Sequence, residues 1–114
     1  MRLYIGKLNA DPYAENEIIS FSFNAGFRQG STAYLVGQWT QGATGEPKAN
    51  YRFQGTITKL EDGQIEIFKD EDVYYWFKGR VSGESNKELV LEMYRKHDAK
   101  LYGNATLSFG FKED

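Results

Sequence analysis

The chain has no cysteine, two prolines and a single histidine among its 114 residues. Without cysteine there is no disulfide framework and no thiol chemistry, and one histidine cannot build the common zinc sites. No apolar run reaches the length of a signal-peptide core or a membrane span, so a cytoplasmic location is expected, with no membrane partner. An excess of one charge is also missing: 14 basic and 16 acidic residues leave a net charge of −2. Nucleic-acid binders carry a basic patch or stripe. The densest basic stretch here, Arg95, Lys96 and Lys100, is interrupted by Asp98 and reads as a solvated turn. No nucleic-acid partner is expected.

The familiar short motifs are absent too. His97 and Asp98 are neighbours without a nucleophile, Asp70-Glu71-Asp72 lacks the glycine and distal glutamate of a calcium loop, and Gly42-Ala43-Thr44-Gly45 lacks the lysine of a phosphate loop. Asn104-Ala105-Thr106 matches the glycosylation pattern and, with no secretion signal in view, is read as a chance match. No cofactor, metal or catalytic residue is assigned.

What the chain does have is aromatic residues, 16% of the total, and twelve glycines. Aromatics favour pleated surfaces, and glycines inside apolar runs mark bends or bulges. Three segments share the form apolar-x-Gly-x-apolar-Ser/Thr: Phe53 to Thr58, Phe77 to Ser82 and Leu101 to Thr106. They begin 24 residues apart (53, 77, 101), and a fourth, Leu35 to Thr40, precedes them. That period fits two strands of about 5–6 residues with two short connections, hence a β-hairpin repeat.

Alternation supports the repeat. Ile19, Phe21 and Phe23, then Tyr51, Phe53, Gly55 and Ile57, then Ile65 and Ile67 recur at every second position. So do Val73 to Val81, Leu89 to Met93, and Ala105 to Phe111, while Asp62-Gly63 marks a hairpin turn. Residues 2–8 add a first strand. The expected fold is one all-β domain over residues 1–114, with about eight antiparallel strands in an up-and-down meander. A closed barrel is preferred to a two-sheet sandwich because closure removes exposed edges. The competing α+β reading places a helix at 86–101, because Ser85-Asn86-Lys87-Glu88 has capping-box spacing. Gly37-Gln38-Trp39 and the apolar-x-Gly-x-apolar strands resemble those of lipocalin- and avidin-type (calycin-like) barrels. The cysteines, loop motifs and polar contact sets of those families are missing, so no functional residue is carried over.

Pairing the later strands by their turns sets Ile67, Tyr75, Met93 and Gly103 in one inner row, and Ile65, Phe77, Leu91 and Ala105 in the next. The inner candidates for contact with a small apolar or aromatic ligand are Trp39, Tyr51, Phe53, Tyr75, Phe77 and Met93. On the outer face the same pairing lines up Phe68, Tyr74, Tyr94 and Tyr102, beside Glu66, Trp76, Glu92 and Asn104. Clustered Tyr and Trp are typical of interface cores. Three uses follow: self-association, contact with a partner protein, or a stacking platform for sugar rings. In the last case Glu66 and Glu92 flank Trp76 as a carboxylate pair for glycan hydrolysis. The leading expectation is a non-catalytic barrel that binds a small apolar ligand and self-associates through the outer face. The alternative is an interaction module with a solid core.

Overall fold

The computed structural model describes residues 1–11, 13–40, 48–82, 87–96 and 101–112, with the side chains of all of these but 111 and 112. Eight antiparallel strands run in chain order: β1 (Arg2–Ala10), β2 (Ala14–Asn24), β3 (Thr32–Trp39), β4 (Ala49–Glu61), β5 (Gln64–Ile67), β6 (Tyr75–Ser82), β7 (Glu88–Arg95) and β8 (Leu101–Lys112). Each pairs with the next, and β1 pairs with β8 from Arg2↔Lys112 to Asn9↔Asn104, so the sheet closes into a barrel. Closure gives every strand a neighbour on both sides over at least part of its length. The competing helix at 86–101 is not formed by the described residues: Glu88–Arg95 are β7 and Leu101 opens β8, as the preferred reading expects. The turn at His97 and Asp98, the Gly42–Gly45 loop and the Ser85-Asn86 cap lie outside the described residues.

Period-two alternation sends the apolar set inward. Ile19, Phe21 and Phe23 of β2, Ala33, Leu35 and Trp39 of β3, and Leu89, Leu91 and Met93 of β7 are all buried. Those side chains meet along the axis and fill it, with ring contacts such as Phe21 against Phe77 at 5.0 Å. In an eight-stranded barrel the interior is just wide enough for side chains to do this. At the Asp62-Gly63 hairpin both residues have positive φ (52° and 78°), as a two-residue turn between twisted strands requires. A Cβ at Gly79 would collide with the Val90 carbonyl oxygen, so the close β6–β7 approach depends on that glycine.

The two ends are built differently. At the lower end, where β2, β4 and β6 finish, the 25–31 segment folds under the barrel. Its Phe27 packs 5.6 Å from Tyr4 and 5.2 Å from Phe23. The Arg2 guanidinium lies 5.0 Å from the Phe27 ring and 4.9 Å from Phe109, while its Nε donates to the Tyr4 hydroxyl at 2.9 Å. At the upper end β5 is short, four residues against thirteen in β4. The upper half of β4 therefore has no strand partner on that side.

Residues 68–74 cover the gap as a strap. A bulge between Ile57 and Lys59 ends the regular β4–β5 ladder. Beyond it, the Phe68 amide donates to the Thr56 carbonyl at 3.0 Å and the Lys69 amide to Thr58 Oγ1 at 3.2 Å. The Glu71 carboxylate accepts the Thr56 amide at 2.8 Å and the Thr56 hydroxyl at 2.9 Å. An unpaired buried amide costs about 1–3 kcal/mol, and the carboxylate stands in for the missing strand carbonyl.

Candidate functional site

Of the six interior candidates, four meet at the upper end. Trp39, the last residue of β3, stacks on Tyr51 with centroids 4.3 Å apart and lies 6.4 Å from Phe53. Its indole Nε1 donates to the Tyr75 hydroxyl at 3.3 Å, and Tyr75 packs edge-on to Phe53 at 5.7 Å. Phe77 and Met93 pair across β6 and β7 one layer below, both fully buried. Trp39 and Tyr75 are fully buried as well, whereas Tyr51 and Phe53 are half-buried. The indole N–H is satisfied by the Tyr75 oxygen, so the polar group of Trp39 is spent within the cluster.

Tyr102 joins this inner cluster, which corrects the expectation of an outer position. It is 8% exposed, stacks on Tyr13 at 4.8 Å, lies 5.3 Å from Tyr75, and donates to the Thr40 carbonyl at 2.9 Å. The cause is a bulge in the β7–β8 ladder, where Met93 pairs with Gly103 but Tyr94 pairs with Leu101. Tyr102 is the extra residue, so it turns inward and Leu101 outward. Burial first, then the neighbouring phenols of Tyr75, Tyr13 and Tyr51, drive the Tyr102 hydroxyl well above the ordinary tyrosine range. Tyr13 is a member that alternation could not show, because it sits in the β1–β2 turn.

Phe68 is the second correction. It is 1% exposed and packs 6.0 Å from Phe21 and 6.2 Å from Phe77. Its backbone is left-handed, φ 67°, and that reversal at the end of β5 turns the ring inward. Gly55 makes the room, since a Cβ there would sit 2.5 Å from the Phe68 ring and 2.7 Å from Glu71 Oε1. Tyr74 stays outside, 43% exposed on the strap.

The outer face keeps Glu66, Trp76, Glu92, Tyr94 and Asn104, in a different register from the one expected. Ile67 pairs with Phe77 rather than Tyr75, so β6 is displaced by two residues relative to β5 and β7. The physical reason is the strap, which makes the β5–β6 connection longer than the turn at 69–72. Trp76 therefore pairs with Tyr94, and their rings stack at 4.5 Å with 17° between planes. Lys69 Nζ sits 4.0 Å from the Trp76 centroid on this stack.

Between Glu66 and Glu92 stands Lys78, not Trp76. The full cross-strand row reads Lys59↔Glu66, Glu66↔Lys78, Lys78↔Glu92 and Glu92↔Asn104. A carboxylate pair arranged around an aromatic ring, as the glycan reading required, is thus not what the strands assemble. Opposite charges directly across a sheet stabilise it by about 0.2–1 kcal/mol per pair. That preference was the available signal for the correct register.

The same row lines a cleft of about 810 Å3 on the outside of β4–β8, with Arg80, Gln64 and Val90 along the next row. A barrel waisted by strand coiling is concave along its strands even where it is convex across them. Among the described residues, no ion pair within 4.0 Å joins Lys59, Lys78 or Arg80 to Glu66 or Glu92. No group of three or more acidic, histidine or cysteine side chains is placed to hold a metal among the described residues. Compared with known protein families, curated proteins and solved structures, the chain matches none.

Proposed function

We propose that this chain is a non-catalytic interaction module, a side-chain-filled barrel that offers the outer face of β4–β8 to a protein partner. One observation carries the reading: the concave part of that face is lined by charges of both signs that have no ion pair with one another. Complementary charge across an interface sets orientation and partner choice. The adjoining Trp76–Tyr94 stack supplies the flat aromatic area that interface cores favour. Photo-crosslinking from a benzophenone side chain tests it, placed at exposed Gln64 in the cleft or at exposed Ile18 on β2. Discrete adducts from position 64 and none from position 18 are expected in the cell of origin. No adduct from 64, or equal adducts from both, removes the reading.

A lipocalin-like interior ligand is the second reading, favoured by the strap. Phe68 reaches the core from a loop and not from a strand, so an aromatic ligand takes its place when residues 68–74 lift. On this reading Glu71→Ala, which removes the strap's acceptor for Thr56, increases the fluorescence of an added anilinonaphthalene dye. A dye signal unchanged from the parent protein counts against it.

A further inference from the structure

Resting on the outer-face reading, we infer that the occupant of the cleft is a second copy of this chain, docked about a two-fold axis. The argument is in the order of the charges. Lys59, Glu66, Lys78 and Glu92 occupy four adjacent strands in one row, plus, minus, plus, minus. Neighbouring strands are about 4.8 Å apart, so like charges recur at about 9.6 Å.

A row with an even number of alternating charges meets its opposite at every position when turned end for end. A two-fold axis lying in the face and perpendicular to the row performs that turn. It sets Glu66 against Lys78 of the second copy, twice, at the middle of the row. At the two ends it turns Lys59 toward Glu92, where the barrels curve apart and only the long side chains reach. A slip of one strand from this arrangement brings like charges together along the whole row. The row therefore specifies both orientation and register, as a self-complementary interface must. A partner of one sign, such as a polyanion, would meet repulsion at every second strand.

Three further features agree. The sheet closes into a barrel and the strap covers part of the β4 edge above the short β5, so faces are the larger surface that two copies have to offer each other. The net charge of −2 opposes association only weakly. Lysine and arginine stems are apolar along their length, so side chains from the second copy cover the backbone floor of the cleft while their charged ends find partners.

Sedimentation velocity on the purified full-length chain tests the inference. The parent protein is expected to dimerise, and to dissociate as salt rises from about 0.05 M to about 1 M, where the screening length falls to about 3 Å. Glu66→Lys places a lysine opposite Lys78 of the second copy, and Lys78→Glu places a carboxylate opposite Glu66, so each alone weakens the dimer by about tenfold or more. Mixing the two variants restores it, because every facing pair in the mixed dimer is again of opposite sign. The double variant Glu66→Lys with Lys78→Glu dimerises with itself. Recovery on mixing also demonstrates that both single variants are folded.

A parent protein that stays monomeric at all concentrations and salts overturns the second copy, as does failure of the mixture to recover. Neither outcome touches a crosslink from position 64 to a different protein, which upholds the outer-face reading without this inference. Absence of any crosslink from 64 removes both.

Discussion

Replacing Phe68 by alanine separates the two places the residue could occupy. On an outer face the change would cost about 0.5 kcal/mol or less. In the structure the ring is 1% exposed and lies between Phe21 and Phe77, over the space that Gly55 leaves open. Truncating a buried phenylalanine costs about 3–5 kcal/mol, the lost transfer energy plus the cavity left behind. The strap limits collapse, because the hydrogen bonds of Glu71 and Lys69 to Thr56 and Thr58 fix its backbone on β4. The upper part of that range is therefore expected. A domain of this length has a total stability of about 6–17 kcal/mol, so the variant folds but sits far closer to its limit. Urea unfolding followed by the fluorescence of buried Trp39 is the assay. With a slope of about 1–3 kcal/mol per molar, the midpoint falls by at least about 1 M. Tyr74→Ala, six residues on and exposed, is the control and moves the midpoint little. Equal shifts for the two variants would refute the inward placement of Phe68 and the account of the strap.

Four other outcomes follow from the same contacts. Gly55→Ala costs about 1–3 kcal/mol by overpacking, and less when combined with Phe68→Ala, since one of the two colliding groups is then gone; strict additivity in urea unfolding would contradict the contact. Glu71→Ala leaves the Thr56 amide without its acceptor, and hydrogen exchange at that amide should speed up while amides of β7 are unchanged. Tyr102→Phe removes the bond to the Thr40 carbonyl and costs about 0.5–1.5 kcal/mol, measured by the same urea transitions. The pH dependence has a fixed sign: the folded Tyr102 pKa is raised, so below about 10, the unfolded value, its contribution is complete, and above it the unfolded chain binds fewer protons and stability falls. Urea midpoints taken from pH 8 to 11.5 should decline above about 10, and Tyr102→Phe should flatten that decline; an unchanged slope would place the cause in the other tyrosines whose pKa burial raises, Tyr4, Tyr51 and Tyr94.

The strands were legible because period-two burial is a property of each strand by itself. Ile19, Phe21 and Phe23 point inward whatever β3 does. The errors fall where alternation is broken by a neighbour. Phe68 and Tyr102 occupy even positions, and parity alone puts both outside. A left-handed backbone turns the first, and a bulge against β7 turns the second. Neither leaves a clear composition signal, since Phe68 is not a residue that favours positive φ. Each adds a ring to the core, Phe68 against Phe21 and Phe77 one layer below and Tyr102 beside Tyr75 and Tyr13 at the upper end. The short β5 leaves that end under-filled by strands, and side chains from the strap, the β1–β2 turn and the bulge complete it.

The outer face was legible in content and misread in register, and the difference changes its chemistry. With β6 two residues out of place, Trp76 falls between Glu66 and Glu92, and the face looks like a carboxylate pair around an aromatic platform. With the pairing the strands adopt, Lys78 falls there, and every adjacent pair from β4 to β7 is of opposite sign. Loop length decided between the two, because strand sequence alone allows either. The seven residues of the strap set the register, and their hold on Thr56 depends on Glu71. A site on one side of the barrel is therefore positioned by a contact on the other side of the same connection. Loosening the strap with Glu71→Ala should disturb the Trp76–Tyr94 stack and the charge row together, whereas a change within the row, such as Lys78→Glu, should leave the strap intact.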